Sequence, residues 1–169
     1  MGLHRSTSRV QLLAAYALVA AQLGLLAAMV LWEPEPDFEL PGWADRLAWG
    51  AGVAGALWLV LGVVSLGRSA TALPLPVVHG RLRTGGLYRL SRHPIYTGLL
   101  ALAWSWSARS GAIELLALAG ALNLLLVAKA VAEERLLEEA YPGYREYAGR
   151  TPRFLPLGFR VAGGRRPRQ

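Results

Sequence analysis

The residues most able to do chemistry lie in two short clusters beside apolar runs. The first is Arg92-His93-Pro94-Ile95-Tyr96, and the second is Glu133-Glu134. The chain contains no cysteine, which excludes thiolate nucleophiles and cysteine-ligated zinc or iron–sulfur centres. Neither cluster supplies a nucleophile triad.

A longer ordered motif contains both clusters. It comprises Thr84-Gly85-Gly86-Leu87-Tyr88, then Arg92-His93-Pro94-Ile95-Tyr96-Thr97-Gly98, an apolar hairpin, Glu133-Glu134, and Arg150-Thr151-Pro152-Arg153-Phe154-Leu155-Pro156. Over residues 73–156 this pattern resembles the isoprenylcysteine carboxyl methyltransferase family, which is similar in its C-terminal core to the phospholipid methyltransferases. The resemblance implies methyl transfer from S-adenosyl-L-methionine to a lipid-like acceptor that enters from the bilayer.

The resemblance also implies a set of site residues. It assigns cofactor binding to a loop, a helix start and one glutamate, namely Gly80, Arg81, Leu82, Arg83, Tyr88, His93, Pro94, Ile95, Tyr96 and Glu133. It assigns acceptor binding or catalysis to Arg92, Lys129, Glu134 and Arg150, while leaving open which of the two glutamates contacts the cofactor. Lys129 stands where the family usually has arginine, so a point charge replaces a two-pronged donor.

The acceptor itself stays open at this stage. The resemblance implies most simply the carboxylate of an isoprenyl-type thioether. An alternative is the amine of a phosphatidylethanolamine-like headgroup, which must first lose a proton to a base. A second alternative is a non-catalytic membrane protein that retains the fold. No metal is expected, and the oligomeric state is not indicated.

Each site residue also has a structural interpretation. Arg92 could be an interfacial cation, and His93 could cap a helix. Lys129 and Glu133 have the i, i+4 spacing of an ordinary helix pair. Tyr144 and Tyr147 are expected to dock the C-terminal segment onto a helix.

Four apolar segments must position these residues within one all-α membrane domain. We predict membrane helices over residues 10–32, 47–67, 94–109 and 112–140, the last two forming a hairpin and the last extending into the cytosol. A cytosolic loop covers residues 68–93, and a C-terminal segment covers residues 141–169. Gly50, Gly52 and Gly55 match the spacing of a dinucleotide fingerprint, but inside an apolar run they favour helix packing.

The distribution of cations predicts the orientation. Most arginines fall on one side of a four-span arrangement, which places both termini and the site at the cytosolic face of the membrane. Arg109 is the exception. The formal net charge of +7 is spread beside apolar runs, so a nucleic-acid partner is not expected.

Helix rise gives an estimate of depth. In an antiparallel hairpin that turns near Ser110, the fourth helix reaches the level of His93 near Val127. Lys129 is then near the membrane surface, and the two glutamates lie roughly 10 Å further into the cytosol. This geometry predicts an elongated pocket between the two clusters.

Overall fold

The computed structural model describes residues 9–66 and 82–154, and this part of the chain is helical, without strands. Its five α-helices are α1 (Arg9–Leu31), α2 (Gly42–Leu66), α3 (Pro94–Ser110), α4 (Ile113–Ala140) and α5 (Tyr144–Arg150). A single 3-10 turn (Gly86–Arg89) precedes α3. The all-α prediction is therefore confirmed for the described residues. Gly80 and Arg81 lie outside them.

Three of the described helices, α1, α2 and α4, are long and apolar enough to cross a membrane. Many of their large apolar side chains face outward, as lipid-facing residues do, among them Leu13, Leu23, Leu57, Val60 and Leu124. With 17 residues, α3 covers about 25 Å at the usual helical rise, less than a typical spanning helix. The four-span arrangement remains a prediction.

Helix α2 begins at Gly42, earlier than the predicted start at residue 47, because its first turn tolerates charge. Asp45 suits the positive end of the helix dipole and pairs with Arg109 across to α3, at 2.7 Å. Arg109 departs from the predicted charge asymmetry, and so does Arg46, which precedes the predicted second span. The asymmetry therefore rests on the larger number of arginines on the other side.

Small residues let α2 and α3 pack closely. A Cβ added at Gly55 would lie 2.7 Å from the Ala101 Cβ, and one at Gly98 would lie 2.6 Å from the Gly55 carbonyl oxygen. Gly52 similarly faces Ser105, whereas Gly50 has open space beside it. The packing interpretation of this glycine run is thus confirmed for Gly52 and Gly55 and wrong for Gly50.

The turn between α3 and α4 is held by the segment that links α1 to α2. Gly111 adopts φ 72°, and a side chain there would clash with the Phe38 carbonyl. Its own carbonyl accepts hydrogen bonds from the backbone amides of Asp37 and Phe38. The Asp37 carboxylate in turn accepts one from the Ile113 amide, at 2.9 Å, which caps α4.

The core lies along α4, against α1 and α3. Its fully buried members are small or aliphatic, with Ala119, Leu122 and Leu126 at helical spacing on one face of α4. This face aligns the polar end of α4, residues 129–134, with the start of α3.

Candidate active site

Glu134 is the centre of the polar cluster below the core. Its carboxylate accepts two hydrogen bonds from Arg153, from Nε and Nη2, both at 2.8 Å. Arg92 Nη1 lies 3.0 Å from the same carboxylate, and His93 Nε2 lies 3.1 Å from it. Only 9% of the Glu134 side chain is exposed. Its oxygens are committed to protein groups, so Glu134 organises the cluster.

Backbone hydrogen bonds bring the C-terminal segment to this cluster. The amides of Arg92 and His93 donate to the carbonyls of Pro152 and Arg153, at 2.8 and 3.0 Å. Ser91 is fully buried; its hydroxyl donates to the Arg153 carbonyl and accepts from the His93 amide. Chain segments about 60 residues apart are thereby joined at His93.

Two buried tyrosines fasten α5 to the same region. The Tyr147 hydroxyl donates to the Tyr88 carbonyl at 2.6 Å, and Tyr144 packs edge-on against Tyr147. Burial raises the pKa of Tyr147 to about 12, and burial with the nearby charge of Glu133 raises the pKa of Tyr88 to about 12. Both phenols are therefore neutral donors at neutral pH. The predicted docking role of Tyr144 and Tyr147 agrees with this packing.

Glu133 differs from Glu134 in its freedom to bind a ligand. The Tyr96 hydroxyl donates to Glu133 Oε2 at 3.2 Å, and His93 Nδ1 lies 3.5 Å from the same oxygen. Among the described residues, none donates a hydrogen bond to Oε1, and 27% of the side chain is exposed. The His93 and Tyr96 rings stack in parallel, with centroids 5.3 Å apart, which holds both rings beside Glu133. Glu133 is the carboxylate open to a bound molecule.

Lys129 lies deeper, on the α1 side of the cluster. It is 1% exposed, its ammonium donates to Gln22 Oε1 at 2.8 Å, and it lies 5.3 Å from the centroid of the Tyr96 ring. The predicted i, i+4 spacing with Glu133 is present, but the hydrogen bond of Lys129 goes to α1 instead. Its position near the membrane surface stays a prediction; its partner Gln22 lies within the apolar α1.

The other predicted site residues have different surroundings. Pro94 is buried in the first turn of α3, and Ile95 packs against Gly62 of α2. Leu82 is half-buried and Arg83 is exposed. Arg150 pairs with Glu146 on the surface of α5 and lines a cavity of about 420 Å³ together with Thr84, Arg89, Gly143, Tyr147 and Thr151. The structure thus joins Arg92, His93, Tyr96, Lys129 and both glutamates, and leaves Arg150 outside the cluster.

The predicted elongated pocket between the two clusters is wrong. His93 touches Glu134 directly rather than lying at the level of Val127. Side chains of an α-helix lean toward its N-terminus, so the glutamates of α4 reach back toward the membrane. Helix α3 also packs mainly on α2, so its axis does not follow α4 as an ideal hairpin would.

Three residues of the cluster were not assigned a role from the sequence: Ser91, Arg153 and Gln22. Arg153 belongs to the C-terminal motif at residues 150–156, and its position beside Pro152 is the sequence feature that could have indicated a role in the site. Gln22, an amide in the middle of a long apolar run, was a second signal, since polar residues within spanning helices usually have a buried partner. Ser91 carried no signal, because a loop serine is ordinarily solvated.

Comparisons with known proteins indicate the family of the chain. The family model described as phospholipid methyltransferase matches residues 48–143. The cobalt-zinc-cadmium resistance protein CzcN of Cupriavidus metallidurans is similar, with 40% identity over 79 residues, which is 44% of this chain and 35% of that protein. The matched segment thus spans about a third of the relative's length. No solved structure matches the chain.

Proposed function

The chain belongs to the phospholipid methyltransferase family, and we propose that it transfers a methyl group from S-adenosyl-L-methionine to the carboxylate of an isoprenylcysteine-like amphiphile. The observation that carries the proposal is the contrast between the two glutamates. Glu134 is enclosed by two arginines and His93, whereas Glu133 is held only through one oxygen and is partly open. The cluster thus presents one available carboxylate toward the C-terminal end of α4.

The residues present fit the cofactor that the family implies. A carboxylate binds an ammonium or ribose hydroxyls and favours a neighbouring positive charge, which suits Glu133. The parallel rings of His93 and Tyr96 offer an aromatic surface beside it. These three residues are our candidates for holding the cofactor.

When bound, the cofactor supplies an electrophilic methyl group on a sulfonium. In the transfer, a bond forms between an acceptor oxygen and the methyl carbon while the sulfur–carbon bond breaks, leaving a neutral thioether and an ester. A carboxylate acceptor is already ionised at neutral pH, so no base is required. The role of the protein residues is to align the reactants and exclude water, which the buried contacts around Glu134 support.

We further propose that α3 crosses the membrane together with the three longer helices, and that the cluster faces the cytosol. The excess of arginines on that side supports this orientation. An amphiphile can then reach the cluster sideways from the bilayer while the water-soluble cofactor arrives from the cytosol.

A phosphatidylethanolamine-like amine is the second candidate acceptor, favoured by the description of the matching family. An ammonium must lose a proton before it can attack, and Glu133 is the available base in the described cluster.

Labelled methyl transfer separates these acceptors. The purified protein is incubated with tritiated S-adenosyl-L-methionine and either farnesylcysteine or phosphatidylethanolamine. Label that is released by mild base identifies an ester and supports carboxyl transfer, whereas base-stable label identifies an amine and supports the second candidate. Absence of label from both acceptors and from native lipid extract contradicts the enzyme proposal.

A further inference from the structure

Gln22 and Lys129 form a polar contact between α1 and α4 within apolar surroundings. The Lys129 side chain is buried, its ammonium donates to Gln22 Oε1 at 2.8 Å, and Gln22 is half-buried. Neighbouring positions on α1 expose apolar side chains, for example Leu23. A buried ammonium is costly unless its protons are hydrogen-bonded, and among the described residues the Gln22 oxygen accepts one of the three.

The chemistry of the two groups fixes what they can bind. A lysine ammonium only donates hydrogen bonds, so the Gln22 oxygen must face it. The Gln22 NH₂ group is then left to donate elsewhere. Two further protons of the ammonium are also available, and the Tyr96 ring covers it on one side. Gln22 and Lys129 therefore present donors together, and an anionic oxygen is the complementary ligand.

Tyr96 connects this donor pair to the reacting end. Its hydroxyl donates to Glu133, while its ring lies against the Lys129 ammonium. A ligand oxygen held by Gln22 and Lys129 is thus separated from the open carboxylate by a single aromatic residue. That arrangement suits an acceptor whose anionic group lies next to the atom that is methylated.

We propose that Gln22 and Lys129 bind an anionic oxygen of the methyl acceptor, which restricts substrates to amphiphiles with a carboxylate or phosphate at the head of the apolar chain. The inference deepens the proposed function and rests on it. Gln22 lies outside residues 48–143, which match the family, and the inference adds a specificity residue on α1.

The test compares ligands that carry the anionic group with matched ligands in which that group is esterified or missing. Binding to the full-length protein in neutral-lipid nanodiscs is measured for farnesylcysteine against its methyl ester, and for phosphatidate against diacylglycerol. A preference for the first member of either pair supports the inference, and the pair that shows it identifies carboxylate or phosphate as the source. We expect Gln22→Met to lower that preference about tenfold or more, since hydrogen bonds to charged groups contribute roughly 1.5–3 kcal/mol.

Further variants separate recognition from folding. Gln22→Glu would neutralise Lys129 and abolish the preference, whereas Leu23→Ala, at the lipid surface, would leave it unchanged. Equal binding of charged and uncharged members by the wild type, or a full preference in Gln22→Met, would overturn the inference. Binding of S-adenosylhomocysteine is measured in the same samples. Its absence beside a retained charge preference contradicts the methyltransferase proposal, and its presence beside no charge preference contradicts only the acceptor inference.

Discussion

Arg153 donates two parallel hydrogen bonds of 2.8 Å, from Nε and Nη2, to the two carboxylate oxygens of Glu134, in a two-pronged fork. This fork joins the C-terminal segment to α4, next to the contacts that Arg92 and His93 make with the same carboxylate. Hydrogen bonding to Glu134 raises the pKa of Arg153, so the fork stays charged at all physiological pH values. Glu134 therefore links three segments of the chain: α4 itself, the C-terminal segment, and the residues directly before α3.

Removal of the Glu134 carboxylate should lower the stability of the folded protein. We expect Glu134→Ala to lower the free energy of unfolding by about 3–5 kcal/mol, because it leaves Arg92 buried without its partner. Arg153→Lys should cost less but should not restore the wild type, since an ammonium cannot form the fork. Arg150→Lys is the matched control and should change stability by less than about 1 kcal/mol, because its pair with Glu146 is exposed. Thermal unfolding in detergent measures all three, and equal effects at Arg150 and Arg153 would contradict the assignment.

The glycines between α2 and α3 give a second prediction. Gly98→Val should destabilise the protein by roughly 1–3 kcal/mol, because its side chain would overlap the backbone of Gly55 and Leu59. Gly50→Ala should be neutral or stabilising by up to about 1 kcal/mol, since nothing lies near that position and alanine favours the helix. Thermal unfolding in detergent measures the stability of both variants. A larger loss at Gly50 than at Gly98 would show that the helices pack through another face.

Helices α1 to α4 were predictable because charge and apolar length define them directly, whereas the short α5 was not predicted within the C-terminal segment. The starts of α3 at Pro94 and of α4 after Gly111 follow from residues with special backbone behaviour. The early start of α2 was not predictable, because it depends on the pairing of Asp45 with Arg109 in a distant helix.

High pH provides a third prediction, through the buried tyrosines. Tyr88 and Tyr147 have a pKa of about 12 in the folded protein, against about 10 when unfolded. Their contribution to stability is complete below pH 10 and is lost as pH rises through 12, because only the unfolded state then releases the protons. The apparent Tm should therefore fall between pH 10 and 12. Tyr147→Phe should make this fall shallower than in Tyr16→Phe, an exposed control; identical slopes would contradict the burial argument.

The sequence predicted which residues form the site better than it predicted their positions. The resemblance collected Arg92, His93, Tyr96 and the glutamates, and the structure brings them together. Helix rise alone misplaced them, because it ignores how side chains lean and how α3 follows α2. The different environments of Glu133 and Glu134 depend on Arg153. Backbone hydrogen bonds set the position of Arg153, and no local sequence pattern reveals them.

The central claim is that Glu133 is the carboxylate that holds the cofactor, and the affinity for S-adenosylhomocysteine tests it most directly. Calorimetric titration in detergent should show binding to the wild type, a loss of about tenfold or more in Glu133→Gln, and an unfolding temperature for that variant close to the wild-type value. Unchanged affinity in a folded Glu133→Gln sample, or no binding to the folded wild type, would contradict the account.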